Sequence, residues 1–410
     1  MTPLSAISNA RSLPSQVDVL VVGGGPAGAM AALASARAGL DTLLVDRVAH
    51  PREKVCGCCL APFGQQVLHQ AGAAGVLQGS VEVRGVRLSI GSSSVHVRRE
   101  GTLVLSRSTL DAGLLHLAAR AGARLAWPFV ATVQDDGHAT IRGPGGERMI
   151  HARIRVVADG LRGGALAEDA RFAWRVRRAS RMGVGAIVPA HALDVADGEI
   201  RMHLNGCGYV GLVRLPNGQV DVAAAVRPES IREQGGPAPL LRSMLGTMVR
   251  DASAIDSADW HGTPHLWRKR RTLQTADILV AGDAGGYVEP FTGEGMGWAL
   301  ATGLAAGEHA AAVLRGDASP HAWRARVQEL VGQARTRCGW TARALRSPPL
   351  VHAALHLAER WPNLAAELAP RLEQIDAELP PPQEPGSDQD TRRESPLSCP
   401  GATITLAQFT

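Results

Sequence analysis

The chain has 410 residues, 45% of them hydrophobic, which is enough for two domains with buried cores. Its 43 basic and 38 acidic residues are spread along the chain, so the net charge of +5 does not indicate a nucleic-acid partner, and the densest basic segment, 267–271, is interpreted as a solvated or phosphate-facing loop. No run of about 18 uncharged apolar residues predicts a transmembrane helix, which leaves contact with a membrane surface open.

The N-terminal region leads into a βαβ unit. Residues 1–16 lack the basic and apolar regions of a signal peptide, and we expect them to be disordered. The apolar run 17–22 predicts a buried parallel strand, the alanine-rich run 26–38 predicts a helix, and 41–45 predicts a second buried strand. A strand, a glycine-rich turn, a helix and a strand within about 30 residues are typical of a βαβ unit.

The turn after the first strand matches the dinucleotide motif G-x-G-x-x-G at 23–28. Its glycines permit a tight turn, close approach of the backbone to a pyrophosphate, and close packing of helix on strand. The helix N-terminus attracts phosphates, and an acidic residue ending the second strand can bind ribose hydroxyls. The motif alone does not separate FAD from NAD. The residues expected to hold the dinucleotide are Gly23, Gly25, Pro26, Ala27, Gly28, Asp46 and Arg47.

The middle of the chain predicts further strands and helices. Alternating patterns and glycine-containing turns predict strands at 81–104, 129–150, 154–158 and 183–226, with an Asn-Gly hairpin turn at 215–220. Helices are predicted at 109–121, 240–252, 293–314 and over most of 321–376. The Pro-rich, polar segment 377–410 is expected to be disordered.

A second glycine-rich motif occupies 278–300. A buried strand ends in Gly282-Asp283, where an acidic side chain flanked by glycine can reach ligand hydroxyls. Gly293 and Gly295 then leave backbone N–H groups free just before a helix, which suits an anion or a carbonyl oxygen.

This second motif resembles the flavin-contacting segment of the para-hydroxybenzoate hydroxylase-like FAD-dependent oxidoreductase superfamily. The segment 105–123 resembles its R-x-x-L-D motif, with Arg107, Leu110 and Asp111 in place, and 157–164 resembles its D-G motif. Residues 208–226 resemble the sheet that faces the flavin in the geranylgeranyl reductase branch. The resemblance implies that two distant motifs bind one FAD. The additional FAD contacts it implies are Arg107, Asp159, Gly282, Asp283, Pro290, Gly293, Glu294, Gly295 and Met296.

The resemblance also implies the fold, which is α/β: a Rossmann-type FAD-binding domain (three-layer, parallel sheet) with an inserted antiparallel β-sheet substrate domain and a helical C-terminal region. The expected FAD-binding domain comprises 17–80, 105–164 and 278–320. The expected substrate domain comprises 81–104 and 165–277, and the C-terminal helices occupy 321–376.

The loop 51–62 resembles the K-x-C-G-x-x-L segment of geranylgeranyl reductases and halogenases, which lies near the flavin and the substrate in that family. We therefore predict Lys54 and Cys56 as catalytic residues. The neighbouring Cys58 and Cys59 either form a vicinal disulfide or are small side chains lining a tight loop. The CGCC sequence lacks the paired spacing of a zinc site, so no metal is expected, and the scattered cysteines favour a cytoplasmic protein.

The sequence points to FAD as the cofactor but leaves the reaction type and the electron donor open. Gly163 replaces the serine expected in monooxygenases and no second G-x-G-x-x-G motif follows a strand, which leaves NADPH or NADH open as the electron donor. The halogenase W-x-W-x-I-P motif is absent. The aromatic motif of geranylgeranyl reductases is retained at Tyr209 but not at Gly211 or Arg214.

The leading hypothesis is a monooxygenase-type enzyme acting on an apolar aromatic, polyketide or isoprenoid small molecule. The first alternative is a geranylgeranyl reductase-like enzyme that saturates carbon–carbon double bonds. The remaining alternatives are a flavin electron-transfer protein with a redox partner protein and an FAD-binding protein without turnover.

Overall fold

The computed structural model describes residues 4–344 except 92, 290 and 292. The predictions for Pro290, for the helices beyond 344 and for the disordered segment 377–410 lie outside the described residues. Within them, no helix is both long enough and apolar enough to cross a membrane.

Strands make up much of the described chain. They are β1 (Gln16–Val22), β2 (Thr42–Val45), β3 (Cys59–Leu60), β4 (Val81–Ile90), β5 (Ser93–Val104), β6 (Arg124–Ala126), β7 (Val130–Val133), β8 (His138–Gly143), β9 (Gly146–Val157), β10 (Trp174–Val176), β11 (Met182–Val188), β12 (Glu199–Asn205), β13 (Gly208–Arg214), β14 (Val220–Val226), β15 (His261–His265), β16 (Arg268–Arg270), β17 (Ile278–Val280) and β18 (Gly286–Tyr287).

Helices connect and cover these strands. They are α1 (Pro26–Arg37), α2 (Pro62–Gln70), α3 (Arg107–Arg120), α4 (Pro228–Glu233), α5 (Pro237–Leu245), α6 (Ala252–Asp256), α7 (Gly295–Arg315) and α8 (Trp323–Ala344). Short 3₁₀ turns separate several of them, including Gly282–Gly285 directly after β17.

The first sheet contains the βαβ unit. Its order is β6-β2-β1-β9-β8-β7, with β17 also paired to β9, and β1 runs parallel to both β2 and β9. The central strands are buried on both faces, as their continuous apolar sequences require. Helix α1 packs against this sheet and contacts α3 and α7. The α/β fold with a parallel sheet is confirmed.

The second sheet is the predicted antiparallel insertion. Its order is β15-β11-β14-β13-β12-β4-β5-β3. Every neighbouring pair is antiparallel except β4 and β12, which run parallel. That exception arises where two segments that are distant in the chain, the β4–β5 hairpin and the β11–β14 strands, join into one sheet. An apolar core lies between this sheet and α5, and Val210, Val222 and Leu241 belong to it.

The basic segment 267–271 is not a solvated loop, so that interpretation is wrong. Arg268–Arg270 form β16, and Arg270 is only 2% exposed. The guanidinium groups of Arg268 and Arg270 lie 4.1 and 4.2 Å from the centre of the Trp174 ring. Arg270 donates hydrogen bonds to the carbonyl oxygens of Gly163, Phe172 and Ala284. Several carbonyl acceptors in a fixed arrangement suit a planar five-donor group, which explains why a cation is buried here.

The described part of the N-terminal segment is also ordered, contrary to the expectation for 1–16. The Ile7 N–H donates to the carbonyl oxygen of Leu125 at 2.8 Å. Ala10 and Leu13 are buried in the core beside the first sheet. These apolar side chains pack beside β8 and β9 and enlarge the core of the first sheet, which the absence of a signal peptide does not exclude.

Candidate active site

The glycine-rich turn is fixed by close backbone contacts. Gly23 has a φ of 108°, and a Cβ there would lie 2.4 Å from the carbonyl oxygen of Ala158 at the end of β9. A Cβ on Gly28 would lie 1.7 Å from the carbonyl oxygen of Gly23. Both positions therefore require glycine, because L residues rarely adopt the first conformation and no side chain fits at the second.

Two helix N-termini open toward one region. Gly25 is the N-cap of α1 and Glu294 is the N-cap of α7, and neither provides a side-chain capping hydrogen bond. Their first turns, at Pro26 and at Gly295, line the same cavity. An uncapped helix N-terminus directs N–H groups and a partial positive charge at whatever lies before it, so both suit phosphate or carbonyl oxygens.

Asp46 lies buried at the end of β2. Its Oδ2 accepts a hydrogen bond of 2.6 Å from the Gly24 N–H and lies 3.3 Å from His50 Nε2 and 3.2 Å from an Arg52 nitrogen. Burial raises the pKa of Asp46, but the His50 hydrogen bond and the Arg52 charge outweigh it and hold the pKa well below its usual range. Asp46 is therefore a carboxylate, as ribose binding requires, whereas Arg47 is exposed.

A buried ion pair crosses the floor of the cavity. Arg107, in the first turn of α3, donates from Nε and NH2 to Asp111 at 3.0 and 2.8 Å. Burial lowers the pKa of Arg107, while Asp111 and the Cys56 sulfur raise it above the ordinary value. The pair holds a permanent cation beside the glycine-rich turn, because the Arg107 guanidinium lies about a van der Waals contact from the Gly25 Cβ position.

Two acidic residues predicted to contact FAD lie at strand ends. Asp159 follows β9, and its Oδ2 accepts a hydrogen bond from the Ala165 N–H at 2.8 Å. Its Oδ1 is buried without a hydrogen-bond partner, and burial raises the pKa of this carboxyl. Asp283 follows β17 and lines the cavity, and the preceding Gly282 N–H is held by Thr302 Oγ1 at 3.0 Å.

Lys54 and the cysteine loop line the same cavity, and the loop adjoins the segment before α7, because a Cβ on Gly293 would lie 3.7 Å from Cys59 Cβ. A Cβ on Gly160 would lie 3.3 Å from Lys54 Nζ, so the ammonium is close to the D-G turn. Burial lowers the pKa of Lys54, the charge of Arg107 lowers it further, and Asp283 opposes both. Cys56 and Cys59 line the cavity, and Cys58 is buried just behind them.

The cavity itself has a volume of 410 Å³. One wall is formed by the glycine-rich and second motifs, and the other by the face of the second sheet. The aliphatic side chains that this sheet contributes to the cavity are Val86, Leu88, Val97, Ile200, Met202 and Val213. The rings of Tyr209 and Phe291, 5.1 Å apart and edge to face, lie at one end. Such a space, charged on one side and apolar on the other, suits a flavin beside an apolar molecule.

The structure places most predicted residues in the cavity or directly beside it. The predicted residues that line the cavity are Pro26, Lys54, Cys56, Arg107, Asp283, Gly293, Gly295 and Met296. Those that form the turn, the strand ends and the helix caps beside it are Gly23, Gly25, Ala27, Gly28, Asp46, Asp159, Gly282 and Glu294. Sequence reasoning missed His50 and Arg52, which hold Asp46, and Asp221, which is 4% exposed and lines the cavity. None of the three belongs to a motif that spacing alone would reveal.

Residues 16–329 match the family model described as an FAD binding domain. The chain belongs to this FAD-binding family. The structural observations agree with the cofactor, since two uncapped helix N-termini, an ionised Asp46 and an unpartnered Asp159 oxygen offer what a dinucleotide needs. FAD is therefore the cofactor of this chain, and the chain is an FAD-dependent oxidoreductase.

Two relatives of this chain are reductases by name. The chain is 29% identical to a menaquinone reductase of Mycobacterium tuberculosis, over 72% of this chain and 77% of the relative. It is 26% identical to digeranylgeranylglycerophospholipid reductase 1 of Methanopyrus kandleri, over 77% of this chain and 85% of the relative.

Solved structures share the fold. A flavoprotein/dehydrogenase from Cytophaga hutchinsonii superimposes with a TM-score of 0.74 at 20% identity, covering 88% of this chain and 93% of that chain. The p-nitrophenol 4-monooxygenase PnpA from Pseudomonas putida gives 0.69 at 15% identity, covering 89% and 100%. These likenesses establish the architecture that positions the cavity.

Proposed function

We propose that this enzyme uses FAD to reduce a carbon–carbon double bond in the isoprenoid chain of an apolar small molecule. The observation that carries the proposal is the aliphatic wall from the second sheet, which lines the same cavity of about 410 Å³ as the first turns of α1 and α7. A wall of Val, Leu, Ile and Met side chains favours a flexible hydrocarbon, because it offers apolar contact without directed hydrogen bonds.

The relatives support this choice of substrate class. Their names specify menaquinone and a digeranylgeranyl glycerophospholipid, and both molecules carry isoprenoid chains. From the sequence alone, a monooxygenase is the leading hypothesis and a double-bond saturase is the first alternative. The aliphatic wall and these relatives together favour the second hypothesis for this chain, and oxygen insertion becomes an outcome that the experiment below detects.

The protein's part in the reaction is positioning, shielding from water and proton supply. When bound, FAD supplies a hydride to the double bond, and saturation then needs one proton at the neighbouring carbon. Lys54 Nζ lines the cavity, and its lowered pKa makes it a better proton donor than an ordinary lysine. Arg107 and the α7 N-terminus stabilise negative charge that develops on the ring system. The electrons enter either from NADPH or NADH or from a redox partner protein.

The test uses the FAD-loaded protein. After anaerobic reduction by dithionite, incubation with a geranylgeranyl lipid, or with a menaquinone whose ring is reoxidised in air before analysis, should yield a product whose isoprenoid chain is heavier by two hydrogens, detected by mass spectrometry. A product heavier by one oxygen atom after admission of air would instead establish hydroxylation. Mixing with NADPH, NADH or a reduced ferredoxin before substrate identifies the donor by the rate at which the flavin absorbance bleaches.

A cavity-filling variant tests the site rather than the fold. Met202→Trp places a large ring in the aliphatic wall, so turnover should fall at least tenfold while the flavin absorbance is retained. Met149→Trp is the matched control, because Met149 is 57% exposed on β9, outside the cavity. Equal turnover in the two variants would contradict a substrate site at this wall.

A further inference from the structure

Two cysteines at the edge of the flavin cavity form a pair that the proposed reduction does not use. We propose that Cys56 and Cys58 form a redox-active dithiol–disulfide couple that exchanges two electrons with the bound FAD. The proposal rests on FAD binding in the cavity and does not depend on which substrate is reduced.

The backbone brings the two thiols together. Among the described residues, Cys58 is the one non-glycine residue with a positive φ, at 50°. Its carbonyl oxygen accepts a hydrogen bond from the Leu105 N–H at 3.0 Å, which fixes this conformation. The turn brings the Cys58 side chain beside that of Cys56, and both belong to one apolar cluster. A left-handed conformation is unfavourable for a non-glycine residue, and such strain is concentrated at functional sites.

Cys59 is arranged differently although it follows directly in the chain. It begins β3, where its backbone pairs with Val104 of β5. The Cys58 side chain packs into an apolar cluster with Val83 and Val213, and Cys56 lies at the edge of that cluster. The couple is therefore Cys56 with Cys58, not the vicinal disulfide of Cys58 with Cys59 that the sequence suggested as one alternative.

The surroundings give the two thiols unequal roles. The hydrogen bond from Cys58 lowers the pKa of Cys56, and the Arg107 charge and hydrogen bond lower it further. The same hydrogen bond and burial raise the pKa of Cys58. Cys56 is thus the thiolate that attacks or leaves, and Cys58 is the thiol that retains its proton, as in other dithiol couples.

A buried carboxyl completes the site. Asp221 on β14 lies against the pair, hydrogen-bonded to Cys58, and its Oδ2 is buried without a hydrogen-bond partner. Burial and the neighbouring Cys56 raise the pKa of Asp221 well above its ordinary value. The carboxyl therefore lies where it can exchange a proton with Cys58.

Formation of the disulfide is balanced in electrons and protons by reduction of FAD, so no further oxidant is needed. Forming the disulfide breaks the Cys58 S–H bond and makes the S–S bond between the Cys56 thiolate and Cys58. Two electrons pass to oxidised FAD together with the single proton released by Cys58, and the product is anionic reduced FAD. In the opposite direction reduced FAD opens the disulfide, so the enzyme stores two electron pairs.

The experiment counts electrons in the holoenzyme. Anaerobic titration with dithionite, after mild oxidation with diamide and removal of excess reagent, should require four electrons per FAD for the wild-type protein. Cys58→Ser should require two, and Cys59→Ser, the matched control from the same loop, should still require four. Two electrons for the wild-type protein would overturn the proposal.

A thiol count provides the second measurement and does not depend on activity. The chain has six cysteines, so alkylation of the oxidised, denatured wild-type protein should modify four. The tryptic peptide 55–84 contains Cys56, Cys58 and Cys59, and its mass should show one alkylated cysteine, identified as Cys59 by fragmentation. Six modified thiols, or a bond between Cys58 and Cys59, would contradict the couple even if Cys58→Ser fails to fold. Failure of double-bond reduction with four-electron uptake would contradict only the proposed function.

Discussion

Cys56 illustrates how neighbours rather than residue type set reactivity. The Cys58 hydrogen bond and the Arg107 cation lower the pKa of Cys56 to about 6, although burial opposes them. Burial, together with the charges of Asp221 and Cys56, raises the pKa of Cys59 to about 12. Two cysteines three positions apart therefore differ in ionisation at neutral pH.

The pH dependence of alkylation follows from this difference. Iodoacetamide should modify Cys56 of the reduced protein with a rate that rises through about pH 6, while Cys59 stays unmodified up to pH 9. The depressed pKa also means that the ionised Cys56 stabilises the folded state at high pH, and that this contribution is lost as pH falls through about 6. The measurement is the mass of peptide 55–84 after timed labelling. A midpoint near 8.5, the value of a free thiol, would show that Arg107 and Cys58 do not act on Cys56.

At the residue scale, motif residues were predictable and their partners were not. Gly23 and Gly28 follow from local backbone geometry, which a short motif encodes. His50 and Arg52 follow Asp46 closely in the chain, yet nothing in their spacing indicated that both would hold its carboxylate. Asp221 comes from β14 in a different sheet, and only the tertiary fold places it beside the cysteine loop.

Helix α7 begins at the second flavin motif, and it packs through small residues on α1, which begins at the glycine-rich turn. A Cβ on Gly303 would lie 2.1 Å from the carbonyl oxygen of Ala27, and one on Gly307 would lie 2.4 Å from that of Ala31. Both contacts are with α1, so the two helices that begin at the cavity approach each other backbone to backbone. The close approach fixes the distance between their N-termini.

Gly303→Ala should therefore affect both stability and flavin binding. The new methyl group meets backbone, which cannot move aside as a side chain can, so we expect a loss of about 1–3 kcal/mol in the free energy of unfolding and weaker FAD binding. Urea unfolding and flavin absorbance after gel filtration measure the two effects. Gly262→Ala is the control, because no atom lies within 4 Å of the Cβ position there. Equal stability of both variants would refute the helix contact.

At the element scale, sequence periodicity identified most strands and helices, and it failed where an element depends on partners. The predicted helix at 109–121 begins two residues earlier, at Arg107, because Ser106 caps it by accepting the Thr109 N–H. Residues 268–270 pair with β10 and β18, and only that pairing makes the basic segment a strand. Burial of Arg270 depends on carbonyls from three other segments, which no window of the sequence contains.

At the scale of the whole molecule, the FAD site joins segments from opposite ends of the family match. Residues 23–28 and Asp46 would hold the adenosine half, and residues 293–296 would face the flavin ring. The two motifs could be recognised separately in the sequence, but the cavity between them could not, because its apolar wall comes from strands in the second sheet. A ligand that spans both motifs stabilises the assembly more than one that reaches a single motif.

FAD and FMN should consequently stabilise the protein to different extents. A ligand that binds only the folded state stabilises it by about 2.7 kcal/mol at 100 times its dissociation constant, so the tighter ligand gives the larger rise in unfolding temperature at equal concentration. FMN lacks the adenosine half and cannot reach Asp46, so FAD should give the larger rise. Asp46→Asn should reduce the rise caused by FAD and leave the rise caused by FMN unchanged. The reason is that the buried Asp46 carboxylate lies at the end of the site assigned to the adenosine half, which FMN lacks. The measurement is the rise in unfolding temperature when wild-type protein and Asp46→Asn are stripped of flavin and reloaded with either FAD or FMN. If FMN stabilised the protein as much as FAD, or if Asp46→Asn weakened both equally, the assignment of the glycine-rich turn to the adenosine half would be wrong.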